Sequence, residues 1–216
     1  MNIAAIARCS AGTGAAIAAL LAITPAANAD GVSPVYLTGP CSDPALSQPF
    51  LAWSDSACYA LMPGESRDSF SATGWTLSGG ARIVSTPLAD GARGNVLDLP
   101  SGSTAISPPV WINSSDPTAR TMVRDVAGSQ GVFFYISYPG SAAVWKNTGQ
   151  VHGTGTAWTV SGPINLQTGS LTGWQLARFK FVPGGTASDF QVYNFYYQAT
   201  SSTTNGSVSG TPRFKR

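Results

Sequence analysis

The residues best suited to recognise a ligand lie in and around the segment between Trp145 and Trp158. An aromatic ring near a turn can stack on the apolar face of a sugar, while amide and hydroxyl side chains bond the sugar's hydroxyl groups. Tyr138 supplies a third ring, and Asn147 and Gln150 supply amides on a backbone rich in glycine and threonine. We therefore predict a binding rim composed of Trp145, Trp158, Tyr138, Asn147 and Gln150. The alternative is that these rings belong to the core.

Side chains typical of catalysis are scarce. His152 is the only histidine, so sites that need two histidines are excluded by count. No G-x-S-x-G turn is present to hold a nucleophile, and we interpret His152 as a solvated loop residue. Glu65 is the only glutamate, and most aspartates stand beside glycine, proline or serine, where they favour local turn bonds. We predict no catalytic residue, no metal site and no cofactor, although an unrecognised pair of aspartates remains an alternative.

The charge pattern argues against nucleic acid as a partner. Twelve lysines and arginines are balanced by ten aspartates and glutamates in the 216 residues, without the clustering that holds a phosphate backbone. Only 10% of the residues are charged, and the chain has 24 glycines and 15 prolines. This composition is typical of an extracellular β-protein with many turns.

The first 29 residues have the pattern of an export signal. Arg8 supplies the positive region, an apolar run follows, and Ala27-Asn28-Ala29 matches the site that signal peptidases cut. A membrane anchor, the alternative, needs about 20 unbroken apolar residues, and Pro25 ends this run earlier. We predict a secreted or cell-surface protein with no membrane span in the mature chain. Its parts are a signal peptide at 1–29, a covering arm at 30–64, a β-sandwich domain at 65–199 and a disordered tail at 200–216.

Short strands must position the predicted rim. The segment 142–146 and the segment 157–160 are predicted strands, each with a tryptophan, and the glycine-rich stretch 147–156 between them is a predicted loop. The apolar segment 131–138 predicts a central strand with both faces partly covered. In the predicted strand 174–182, Phe179 and Phe181 alternate with Arg178 and Lys180, which places the two cations towards water.

A β-hairpin is predicted at 70–84. Large and small residues alternate in Trp75-Thr76-Leu77-Ser78, and Gly79-Gly80 supplies a two-residue turn. Trp75, with the two phenylalanines of 174–182, is assigned to the core. In total we count eight or nine short strands and no helix outside the signal, which indicates an antiparallel sandwich or barrel.

Cys41 and Cys58 are the cysteines that remain after removal of the signal. An exported pair most often forms a disulfide, and a loop of about 17 residues would stabilise the fold by roughly 3 kcal/mol. The alternative is a pair of free or intermolecular thiols.

Several sequence blocks resemble a group of exported bacterial proteins without an assigned activity. The blocks are Cys41 with LSQPFLAW, PG before a phenylalanine, GWTLSGGA, LDLPSGSTAISPP, RFKFVPGG and DFQVYNFYY. More distantly the chain resembles the galactose-binding-like jelly-roll domains found in many carbohydrate-binding modules, which implies a single antiparallel jelly-roll sandwich with an irregular N-terminal arm.

Two departures from these relatives bear on the expected function. Ser71, Tyr193 and Asn194 stand where the distant relatives have acidic residues, so the resemblance implies no structural calcium here. In the nearer relatives the first cysteine pairs with one placed where this chain has Trp111, so the resemblance implies a relocated bridge. We predict a non-catalytic sandwich that binds a glycan or another surface polymer. The alternatives are a structural or adhesive envelope protein that binds a protein partner, and a hydrolase with a concealed site.

Overall fold

The computed structural model describes residue 41 and the ranges 46–138, 144–166 and 173–199. The predicted signal peptide at 1–29, the first part of the predicted arm at 30–40, and the predicted tail at 200–216 lie outside the described residues. The first two residues of the predicted strand 142–146 also lie outside them. Within the described part, no helix is long and apolar enough to cross a membrane.

Within the described ranges, fifteen strands form two sheets packed face to face. The first sheet contains β1 (Tyr59–Leu61), β2 (Glu65–Ser66), β3 (Ser69–Phe70), β5 (Arg82–Pro87), β6 (Arg93–Pro100), β9 (Thr118–Ala127), β12 (Thr159–Val160), β13 (Ile164–Asn165) and β15 (Asp189–Gln198). The second sheet contains β4 (Thr76–Ser78), β7 (Thr104–Ile106), β8 (Val110–Asn113), β10 (Val132–Ser137), β11 (Lys146–Val151) and β14 (Trp174–Pro183). A 3-10 turn at Leu51–Trp53 is the only helical element of the described residues.

The long strands β15 and β14 organise the two sheets. β15 lies between β6 and β9, and β14 lies between β10 and β7, with β8 extending the pairing along β14. Every pairing is antiparallel except the short contact between β3 and β6. The aromatic centre of the core is Phe134, Phe179, Phe181 and Phe195, whose ring centroids lie 5.2 to 5.6 Å apart. The prediction of an all-β antiparallel sandwich is confirmed, and so is the assignment of the phenylalanines of β14 to the core.

The predicted hairpin at 70–84 is wrong in its pairing. β4 pairs with β7 in the second sheet, whereas β5 pairs with β6 in the first sheet, so the turn at Gly79 and Gly80 carries the chain from one sheet to the other. Both glycines have positive φ, as the sequence indicated, and a Cβ on Gly79 would collide with the carbonyl oxygen of Gly102. Local alternation shows that a strand exists and that the chain turns, but the partner of the strand depends on distant residues.

The predicted loop at 147–156 is also partly wrong. Residues 146–151 form β11, which pairs with β10 through a bulge between Phe134 and Tyr135. The sequence pattern did not predict this strand, because the segment is rich in glycine and threonine and has few apolar residues. An edge strand needs only one packed face, so it can form with few apolar residues. The predicted strand 157–160 is present as the shorter β12.

The outer face of the first sheet is covered by the chain itself. Phe50 and Tyr59 of the arm pack in edge-to-face contacts against each other and, for Phe50, against Tyr196 of β15. The Cys41–Cys58 disulfide closes this arm, so the predicted bridge is confirmed. A second layer on the same face contains Leu88, Ala89, Val96, Met122, Trp158 and Tyr193.

A buried carboxyl group supports an irregularity in the central strand β15. Asn194 has a left-handed φ of 53°, and its side chain exchanges two hydrogen bonds with Asp68. Glu65 Oε2 accepts the backbone N–H of Phe195 at 3.1 Å, while Oε1 is shielded from solvent and has no hydrogen-bond partner. Burial raises the pKa of Glu65 well above its ordinary value near 4.5. Glu65 as a whole residue is partly exposed, but its Oε1 is enclosed.

Glu65 should make the fold less stable as the pH rises. The unfolded chain releases the Glu65 proton near its ordinary pKa, whereas the folded chain keeps it to a higher pH, so increasing pH between those two values favours unfolding. In Glu65→Gln the free energy of unfolding should decrease less between pH 5 and pH 8 than in the wild type, as measured by urea denaturation at each pH. The control Asp90→Asn, which removes an exposed carboxylate, should show the same pH dependence of the free energy of unfolding as the wild type. Equal pH dependence in all three proteins would show that the Glu65 carboxyl group is solvated.

Candidate functional site

The outer face of the second sheet is built by the alternation of its strands. Directly paired residues of antiparallel strands place their side chains on one face, and Phe134, Phe179 and Phe181 face the core. The residues between them therefore face outward. One row of directly paired outward residues crosses five strands, in the order Thr76, Ile106, Lys180, Tyr135 and Asn147.

Lys180 lies between two aromatic rings at the centre of this row. Its Nζ is 4.5 Å from the ring centroid of Tyr135 on β10 and 4.7 Å from that of Trp145, which precedes β11. Both distances are within the range in which a ring face attracts a cation. Partial burial lowers the pKa of Lys180 below its ordinary value. The lysine thus fixes the two rings at the surface of the sheet, where both stay half-exposed.

The same face continues along β14 in both directions. Towards its start, Arg178 and Leu176 face outward, Leu176 is paired with Trp111, and Trp174 at the end of the strand is 41% exposed. In the opposite direction Val182 is paired with Phe133, and Phe133 is paired with Gln150. Eight residue steps of an extended strand span roughly 26 Å, which is enough for several sugar units. We call this surface the outer aromatic face; its rings are Trp111, Phe133, Tyr135, Trp145 and Trp174.

Three of the five predicted binding residues belong to the outer aromatic face. Trp145 contacts Lys180, Asn147 is paired with Tyr135, and Gln150 is paired with Phe133. Asn147 also accepts the N–H of Gly149 through its Oδ1 at 2.8 Å, which steadies the bulge of β11. The structure therefore brings these residues together, although Asn147 and Gln150 lie on the edge strand β11 rather than in the predicted loop.

Trp158 and Tyr138 do not belong to the outer aromatic face. Trp158 is 4% exposed, its ring lies 4.6 Å from the Arg124 guanidinium, and its Nε1 donates to the carbonyl oxygen of Pro87 at 2.8 Å. The expectation that Trp158 is an exposed binding ring is wrong, because the ring fills the covered face of the first sheet. Tyr138 packs against the main core, and its hydroxyl donates to the carbonyl oxygen of Leu166.

The sequence reasoning did not single out the rings of Trp111, Tyr135 and Trp174. A signal for Tyr135 was present, since strict alternation in 131–138 places it opposite Phe134. The contact with Lys180 had no such signal, because the two residues are 45 positions apart in sequence and meet only through the register of β10 and β14.

The aspartates of the first sheet include one close pair. Burial and the neighbouring Asp98 carboxylate raise the pKa of Asp189. Asp98 is 1% exposed, forms an ion pair with Arg82 at 2.5 Å and accepts a hydrogen bond from Gln191 at 2.7 Å. This arrangement is a polar network that extends from the buried Asp98 to Arg82, whose side chain is 57% exposed. Among the described residues, no three histidine, cysteine, aspartate or glutamate side chains are grouped to hold a metal ion.

No protein-family model and no curated protein sequence matches the chain. Solved structures of carbohydrate-binding domains do match. The CBM22-1 xylan-binding domain of Xyn10C from Paenibacillus barcinonensis is 13% identical, with 59% of this chain and 86% of that chain covered and a TM-score of 0.37. The family 11 carbohydrate-binding module of the cellulase Lic26A-Cel5E from Clostridium thermocellum is 12% identical, with 59% and 88% covered and a TM-score of 0.34. TmCBM61 in complex with beta-1,4-galactotriose is 14% identical, with 58% and 90% covered and a TM-score of 0.31.

Proposed function

We propose that this protein is a secreted, non-catalytic module that binds a polysaccharide on its outer aromatic face. The observation that carries the proposal is the contrast between the two sheets. The first sheet is covered by the arm and by Trp158, whereas the second presents a long row of rings that no described segment covers. A soluble protein seldom leaves such a set of rings on one surface without a binding role.

The chemistry of the face fits a sugar chain. Partly exposed rings on a sheet offer flat apolar surfaces to the C–H faces of sugars, and they need little reordering because the strands hold them. The amides of Asn147 and Gln150 and the hydroxyl of Thr76 lie at its margin and can bond sugar hydroxyl groups. An extended strip rather than a closed pocket is the shape that a long polymer requires.

Binding should be detectable with the wild-type protein and a panel of soluble polysaccharides in affinity gel electrophoresis. We expect at least one polysaccharide to retard the protein. The same polysaccharide should reduce acrylamide quenching of tryptophan fluorescence, because Trp111, Trp145 and Trp174 are partly exposed in the face and a bound chain shields them.

Trp158 is already shielded and contributes no change to that signal. Failure of every polysaccharide in the panel to retard the protein would overturn the proposal and favour a protein partner. Retardation without any change in quenching would place the ligand elsewhere on the molecule.

A further inference from the structure

The charges of the sandwich are divided unequally between its two sheets. The six strands of the second sheet contain three cations, Lys146, Arg178 and Lys180, and no aspartate or glutamate. The strands of the first sheet contain four carboxylates and four arginines, at Glu65, Asp98, Asp125 and Asp189 and at Arg82, Arg93, Arg120 and Arg124. The near-neutral composition of the whole chain therefore hides a positively charged face on the second sheet.

Two ion pairs lie on the side of the first sheet. Arg82 pairs with Asp98 at 2.5 Å, and Arg120 pairs with Asp55 at 3.3 Å. These carboxylates neutralise their arginines within the fold. With Arg93 and Arg124 included, the four arginines and four carboxylates of the first sheet balance in formal charge, whereas the second sheet keeps an excess of positive charge.

The two central cations of the outer aromatic face have no such neutralisation. Lys180 contacts the rings of Tyr135 and Trp145, and the Nε of Arg178 donates to the carbonyl oxygen of Ser107 at 3.0 Å. Within the described part of the chain, neither cation has a carboxylate within ion-pair distance. A cation that is partly removed from water and has no counter-charge gains more from an approaching anion than a fully hydrated one.

We propose that the polysaccharide bound by this face is acidic, with carboxylate or sulfate groups on its sugar units. Lys180 and Arg178 are two positions apart on β14 and face the same side, so roughly 6.6 Å separates their positions along the strand. Rings that stack on sugar faces and cations that receive anionic groups then alternate within one strip. This inference rests on the proposed function of the same face.

Nucleic acid is the other polyanion to consider, and three cations on the sheet fit it poorly. Proteins that depend on the phosphate backbone make about 6 to 10 phosphate contacts. The strands of the second sheet supply at most half of that number.

The test compares polygalacturonate with its highly methyl-esterified form, which keeps the sugar backbone and loses the charge. Dissociation constants are measured by isothermal titration in 50 mM NaCl for the wild type, Lys180→Gln, Lys180→Arg and the control Arg93→Gln, an equal charge change on the first sheet. We expect the wild type to bind the acid about tenfold more tightly than the ester, the scale of one or two partly desolvated charge contacts. Lys180→Gln should reduce this ratio towards one, whereas Lys180→Arg and Arg93→Gln should keep it. The ratio should also shrink in 1 M NaCl.

Several outcomes would overturn the inference while leaving the proposed function in place. One is equal affinity of the wild type for the acid and the ester. Another is that Arg93→Gln loses as much of the preference for the acid over the ester as Lys180→Gln does. That result would show that the preference depends only on the overall charge of the protein. Dextran sulfate and chondroitin sulfate, run beside neutral dextran, show whether sulfate is accepted as well as carboxylate. Tighter binding to oligo(dT) than to any acidic polysaccharide would point to nucleic acid instead. Binding to none of the neutral or acidic polysaccharides would remove the proposed function itself.

Discussion

Trp158→Ala should destabilise the protein by about 3 to 5 kcal/mol, the cost of removing a large buried aromatic side chain. The ring lies in an edge-to-face contact with Tyr193, with centroids 4.7 Å apart, and against the guanidinium of Arg124. Its removal would leave a cavity on the covered face of the first sheet and would deprive the carbonyl oxygen of Pro87 of its donor. The loss of stability should appear as a lower guanidinium concentration at the unfolding midpoint. The slope of the unfolding free energy against guanidinium concentration should not change.

The control for this result is Trp158→Phe. This variant keeps most of the apolar volume and loses the Nε1 hydrogen bond. Its loss of stability should therefore be clearly smaller than that of the alanine variant. The folded fraction of either variant should bind polysaccharide as the wild type does. A loss in Trp158→Ala below about 1 kcal/mol would show that the ring is a surface group and that the covered face is open.

Trp145→Ala should have the opposite signature. The ring is half-exposed and packs on Lys180 at the surface, so its removal should change the melting temperature little. Its loss from the binding face should weaken the best polysaccharide ligand by about 1 to 3 kcal/mol, roughly 5- to 150-fold, which is the scale of an interface hot spot. Isothermal titration and a thermal melt on the same preparation measure both quantities.

Leu51→Ala is the matched control for Trp145→Ala. Leu51 is a large apolar side chain that is 38% exposed, but it lies in the arm beside the first sheet. This variant should bind as the wild type does. Unchanged affinity in Trp145→Ala would remove the ring from the site, and a stability loss as large as that of Trp158→Ala would make Trp145 a core residue.

The contrast between these two tryptophans shows what the sequence could and could not predict. Both lie in segments rich in glycine and threonine, and the local pattern predicted both as rings of the binding rim. What separates them is the sheet that each one joins: β12 places Trp158 near β9 on the covered side, whereas the chain before β11 places Trp145 on the open side. Strand alternation is local and was predictable, but pairing between distant strands is not encoded in any short segment.

The same reasoning explains which parts of the fold were predictable. β10 and β14 are long and strongly patterned, and their predicted ranges, 131–138 and 174–182, agree with the structure within one residue at each end. Strands of two or three residues such as β2, β3 and β13 have no periodicity to detect and were not predicted. The disulfide was predictable because Cys41 and Cys58 are the only two cysteines of the predicted mature chain.

The location of the binding site is tested most directly by amide chemical-shift mapping. A ¹⁵N-labelled wild-type protein is titrated with an oligosaccharide of the polysaccharide that retards it most. The largest shifts should fall on β10, β11 and β14, with the indole N–H signals of Trp145 and Trp174 among those that move and that of Trp158 unchanged. Shifts confined to β9, β15 and the arm would contradict this account, because they would place the ligand on the face that the chain itself covers.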